Sequence, residues 1–167
     1  TNICSTLFTV YYNETPEGDG SQANPFQIAN LDNLNWLMIN DQHWGKFFIQ
    51  TSDIDATSTN TWSEGNGITS IGNGTTNFSG SYDGQGYKID GLYMNRTSNS
   101  NTGLFGRVNG GSITNLHLTN IYIKANRNVG GLVGYLDSGN ISACSVTGEV
   151  ISFSSESYSQ SGGFVGY

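Results

Sequence analysis

Ile113-Thr114-Asn115-Leu116-His117-Leu118 and Ile141-Ser142-Ala143-Cys144-Ser145-Val146 share one pattern, Ile-x-x-φ-x-φ with φ apolar. Ile89-Asp90-Gly91-Leu92-Tyr93-Met94 repeats it upstream. The three copies begin 24 and then 28 residues apart. A second motif keeps step: Gly103-Leu104-Phe105-Gly106, Gly131-Leu132-Val133-Gly134 and Gly163-Phe164-Val165-Gly166. Its first two copies lie ten residues ahead of Ile113 and Ile141. Self-similarity at this period predicts stacked repeats in which no single unit buries its own apolar face. The chain reads as a solenoid.

Composition points the same way. Only 11% of the 167 residues are charged, and Gly, Asn, Ser and Thr are abundant, which disfavours helix interiors and favours turns. Aromatic and β-branched residues are too plentiful and too regularly placed for a disordered tail. Within each copy the φ-x-φ spacing puts Leu116 and Leu118 inward, with Asn115, His117 and Thr119 outward. Short strands at a period of 24 to 32 residues are expected to stack as a parallel β-helix, each coil adding about 4.8 Å. A propeller needs a longer period, of about 40 to 50 residues. Ile89, Leu92, Ile113, Leu116, Leu118, Ile141, Cys144 and Val146 are the expected inward ladder.

Ahead of the repeats, Leu31, Leu34, Leu37 and Met38 fall on one helical face, so residues 31–40 are expected to form a short helix. Asn30 or Asp32 would cap it, and Trp36 and Trp44 beside it suit it to lid the N-terminal end. Lys46–Gln50 and Asp53–Asp55 read as strands, as does Tyr87–Met94. Residues 1–17 read as an apolar strand, stickiest at Leu7-Phe8-Thr9-Val10-Tyr11-Tyr12, followed by a linker. Residues 18–167 read as the β-helix, with its C-terminal end uncapped at a new repeat. Two readings stay open there: a fragment of a longer array, or a second chain covering that end.

Net charge −7 and a pI near 4.4 argue against a nucleic-acid partner and against docking to an anionic membrane. No apolar run reaches the roughly 18 residues of a membrane span, and Thr1 does not open a signal peptide. Of the two cysteines, Cys144 is read as a small inward hydrophobe rather than the disulfide partner of Cys4. Five N-x-Ser/Thr sequons, at Asn13, Asn73, Asn77, Asn95 and Asn140, are about the four that this composition gives by chance.

Candidate chemistry is sparse. Asp53 and Asp55 share a strand face and suit a Ca²⁺ site, but capping turns is the plainer role. Asp83 and Asp90 suit a paired-carboxylate glycoside-cleaving site, although Asp83-Gly84 is a turn signal in its own right. His43 and His117 are expected at the surface, and two isolated histidines make no metal site. Gly84-Gln85-Gly86 lacks the Lys-Ser/Thr of a phosphate loop. Trp62, Tyr82, Tyr87, Tyr93 and Tyr122 are candidates for partly exposed rings that stack on sugars. No catalytic, cofactor or metal residue is assigned.

Gly130-Gly131-Leu132-Val133-Gly134 leading to Ile141-Ser142-Ala143-Cys144 resembles the signature of the GLUG-motif family of bacterial surface proteins. Asn24-Pro25-Phe26-Gln27-Ile28, Asp53-Ile54-Asp55, Phe78–Gly86 and Thr102–Gly106 resemble the lead-in those proteins share, so the likeness covers residues 18–167. The resemblance implies a secreted, right-handed parallel β-helix, commonly part of an adhesin-like chain. The expected function is a non-enzymatic adhesion or display module at the extracellular surface, with a glycan or surface protein as partner. Two competitors stand beside it. One is a filament subunit in which the Thr1–Tyr12 strand pairs with the open end of a neighbour. The other is a polysaccharide-cleaving enzyme that uses Asp53 or Asp83.

Overall fold

The computed structural model describes residues 14–154 and 160–167. The strand read over residues 1–13 lies outside the described residues. The fold is all-β and its named strands pair in parallel. One sheet is built from β1 (Phe26–Ile28), β2 (Phe47–Gln50), β4 (Ser81–Asp83), β7 (Phe105–Thr114) and β9 (Val133–Ser142), in the order β1-β2-β4-β7-β9. The second has β3 (Ile54–Asp55), β5 (Lys88–Asp90), β8 (His117–Gly130) and β10 (Ser145–Ser152) in the order β10-β8-β5-β3. On it, β6 (Tyr93–Thr102) and β11 (Ser161–Gly162) also pair with β8.

Parallel register turns the sequence repeat into files of like residues. Phe26, Phe48, Tyr82, Ile113 and Ile141 stack along the first sheet. Ile54, Ile89, Leu118 and Val146 stack along the second. Between these files lies one hydrophobic core shared by both sheets. Phe26, Phe48, Phe78 and Phe105 add an aromatic column, with neighbouring centroids 4.8 to 6.3 Å apart.

The register corrects one reading of the pattern. The Ile113 and Ile141 copies are equivalent, but the Ile89 copy is not. Ile89 pairs with Leu118, and Tyr93-Met94 with Tyr122-Ile123. Its true counterpart is Leu118-Thr119-Asn120-Ile121-Tyr122-Ile123, in the other sheet from Ile113. Both registers satisfy the same apolar spacing, so the pattern could not separate them. The strand read as Tyr87–Met94 and the Ile113–Leu118 copy of the pattern are each broken by a corner. Gly91 turns with φ +73° between β5 and β6, and Asn115 with φ +52° between β7 and β8. Glycine reaches that region freely, and Asn tolerates it better than most residues.

The Gly-φ-φ-Gly motif has a steric cause. A Cβ at Gly106 would lie 2.4 Å from the Gly72 carbonyl oxygen, and one at Gly134 only 2.3 Å from the Asn101 carbonyl carbon. Backbone meets backbone there, and no side chain fits. The paired residues between the glycines, Leu104-Phe105 and Leu132-Val133, are fully buried.

The helix stands as expected: α1 (Leu31–Ile39) is capped by Asn30, whose Oδ1 accepts from Asn33 N at 2.9 Å. It packs at the β1 edge, with Trp36 5.2 Å from Phe26. Trp44 is buried beside it and donates Nε1–H to the Leu37 carbonyl at 2.8 Å. Residues Thr57–Gly65 form 3₁₀ turns that the polar sequence gave no reason to expect.

Candidate functional surfaces

The four candidate carboxylates are engaged by turns, Asp55 and Asp83 within their own and Asp53 and Asp90 across to the next repeat. Asp55 Oδ1 accepts from the Thr57 backbone N–H at 2.9 Å and its hydroxyl at 2.6 Å. Asp53 Oδ1 takes the Lys88 N–H at 3.0 Å. Asp83 holds Gln85 through the backbone and the side-chain amide, and accepts from Asn115 Nδ2 at 2.9 Å. Asp90 accepts from the Thr119 hydroxyl and from Asn120 Nδ2. Each is a charge-assisted bond between one turn and the same or the next repeat. The hydroxyls of Thr57 and Thr119 hold Asp55 and Asp90 below the usual carboxylate range, since they bond the ionised form.

Nothing in this geometry converges on a reacting atom. Asp83 lies on β4 and Asp90 on β5, in different sheets, whereas Asp90 stands in register with Asp55. Among the described residues no three His, Cys, Asp or Glu side chains come close enough to hold a metal ion. His117 is half-buried, with Nδ1 2.8 Å from Ser145 Oγ, beside a shallow hollow of about 540 Å³ lined by Gln85, Asn115 and Ala143. His43 is half-buried, stacked on Trp36 at 4.9 Å and edge-on to Phe26. Both histidines are thus less exposed than expected.

Among the aromatic candidates, Tyr82 is overturned. Its side chain is fully buried, its hydroxyl donates to Gln50 Oε1 at 3.2 Å, and burial pushes its pKa up. Gln50, also buried, donates Nε2–H to the Ser52 and Lys88 carbonyls at 2.8 and 3.0 Å. Polar alternation cannot reveal such a pair, because each partner alone looks like a surface residue. Tyr93 and Tyr122 are half-buried and stack on each other at 5.0 Å with rings 10° apart. Tyr87 is exposed and Trp62 half-buried.

An outward stack that the sequence reading did not single out runs through Arg107, Tyr135 and Tyr167. The Arg107 guanidinium sits 5.0 Å from the Tyr135 ring centre and pairs with Asp137 at 2.6 Å. Tyr135 stacks on Tyr167 at 4.5 Å. Arg107 and Tyr135 are register partners, 28 residues apart like Ile113 and Ile141. Applying that offset to outward residues would have found them.

Cys144 is a half-buried free thiol packed against the core, as its place in the repeat implies. Desolvation raises its pKa, so it stays protonated at neutral pH. Of the described sequons, Asn73 and Asn140 are exposed, whereas the Asn77 and Asn95 side-chain oxygens are buried.

The chain carries the GLUG motif, matched over residues 125–151, the stretch that runs from β8 through β9 to β10. It is 34% identical to halomucin of Haloquadratum walsbyi over 152 residues, covering 89% of this chain and 2% of that protein. It is 36% identical over 127 residues to a protein of Evansella cellulosilytica named as a Gly-rich membrane protein, covering 74% of this chain and 14% of that one. The chain therefore spans a small part of each relative. No solved structure matches it significantly.

Proposed function

We propose that this chain winds as a right-handed parallel β-helix and serves as a rigid, non-enzymatic structural module of the cell surface, in adhesion or display. The observation that carries the reading is the parallel register, in which inward files and outward hydrogen bonds both step from one repeat to the next. Pull along the stack would load many backbone hydrogen bonds and a continuous apolar core at once. The GLUG motif and the two relatives support a surface location, since one is named halomucin and the other a Gly-rich membrane protein. A polysaccharide-cleaving role finds less support, because the candidate carboxylates hold turns together and Asp83 and Asp90 lie in separate sheets. A glycan or a second surface protein is the partner class for such a module, met on its outward faces.

Antibody labelling of cells that make the protein tests the location. Intact cells should label as strongly as permeabilised ones. Labelling that needs permeabilisation would overturn the proposal.

A further inference from the structure

The two sheets end in unequal layers. Val108, Ile113, Leu116, Leu118, Ile123 and Leu132 have no exposed surface, whereas Leu136, Ile141, Cys144, Val146, Val150 and Phe164, 27 to 32 residues on, are only partly buried against the same core. Among the described residues nothing covers this last layer. A shallow groove of about 410 Å³ runs across it, lined by Val146, Gly148, Val150 and Phe164. Its rim is β10, an edge strand of its sheet. The covering layer is already begun beside it, where Val165 bridges to Val133 and Leu136 N donates to the Tyr167 carbonyl at 2.9 Å. An apolar layer bordered by an unpaired strand edge is a template for one more strand.

We propose that this face is a strand-addition site filled by residues 1–12 of a second copy of the chain, joining copies head to tail. Three observations select that occupant. The first is its sequence: Leu7-Phe8-Thr9-Val10-Tyr11-Tyr12 is apolar on both faces, and period two sets Phe8, Val10 and Tyr12 together, the pattern that Val146 and Val150 would meet. The second is length, since twelve extended residues match the eight of β10 with slack to spare. The third is position. The chain enters at the β1 edge, where the Glu14 carbonyl accepts from Asn33 Nδ2 and the Glu17 carbonyl from Gln27 N. That edge lies at the opposite end of the β1-β2-β4-β7-β9 order, about 19 Å from β9 at four strand spacings. In a translated stack it adjoins the neighbour's open layer. The contact is heterologous, using different surfaces on the two copies, so it propagates into a fibre unless it closes as a ring. Backbone hydrogen bonds along β10 hold the strand, and the groove selects its inward side chains.

Negative-stain electron microscopy and sedimentation of the purified full chain give the first test. Fibres are expected, with an axial repeat of about 40 Å per copy, from six strand spacings of about 4.8 Å and roughly 10 Å for α1 at the joint. Val10→Asp should abolish them while leaving the far-ultraviolet circular dichroism and the melting midpoint of the monomer unchanged. A synthetic peptide of residues 1–13 should stop growth of the unaltered chain, and a Val150→Asp acceptor should lose that peptide's binding by at least tenfold. A full chain that stays monomeric across the accessible concentration range would overturn the proposal. So would fibres indifferent to both Val10→Asp and the peptide, which would assign the joint to another surface. These readouts do not depend on where the cell places the protein, so they can fail while the surface labelling succeeds, and the reverse.

Discussion

The middle layer and the last layer of this molecule carry the same side-chain types at the same register, yet only one of them is a core. Ile113, Leu116 and Leu118 are covered above and below by Tyr82, Ile89 and their neighbours on one side and by Ile141 and Val146 on the other. Among the described residues, Ile141, Cys144 and Val146 are covered from one side alone and remain partly exposed. A repeat therefore has no stability of its own to report. Burial comes from the neighbours, so position in the stack, rather than residue type, decides what each side chain contributes.

That contrast can be broken at several strengths. Leu116→Asp puts an unpaired charge at a site with no exposed surface, and cooperative melting should disappear; a soluble mutant that melts normally would refute the inward register. Leu116→Ala should cost about 3 kcal/mol, and Val146→Ala about 1 kcal/mol or less, because a half-buried site loses less area and leaves no closed cavity. Equal losses in chemical denaturation would show that the last layer is covered in solution. Tyr82→Phe should cost about 1 to 2 kcal/mol by stranding the buried Gln50 oxygen, and the double change with Gln50→Leu should recover part of it. The smallest effect is acidic. Asp55, Asp90 and Asp137 are all held below their ordinary value of 3.8, by Thr57, Thr119 and Arg107 respectively. Their stabilisation is complete above that value and is lost as pH falls through their lower, folded values. Melting midpoints should thus be flat from neutral pH to about pH 4.5 and fall below it, less steeply in Asp90→Asn.

The same contrast separates what was legible from what was not. The helix over Leu31–Ile39, with its Asn30 cap, was legible because its apolar spacing and cap chemistry are local. So was the inward set at Ile89, Leu92, Ile113, Leu116 and Leu118. The corners at Gly91 and Asn115 were misplaced into strands because φ-x-φ spacing survives a corner that starts a new sheet. Tyr82 was read as a candidate partly exposed ring because its partner, Gln50, lies 32 residues away and both look polar in isolation. The Arg107–Tyr135–Tyr167 stack was missed because cation and rings become neighbours only when repeats are laid in register.

By itself the sequence determined that the chain repeats, that Ile89, Leu92, Ile113, Leu116 and Leu118 turn inward, and where the helix over Leu31–Ile39 starts. These follow from spacing and local chemistry, which act within a few residues. Only the tertiary structure decided which repeat lies on which. Pairing Ile89 with Leu118 rather than with Ile113 costs the same apolar pattern nothing, and is settled by corners, backbone contact and shared burial across about 30 residues of chain.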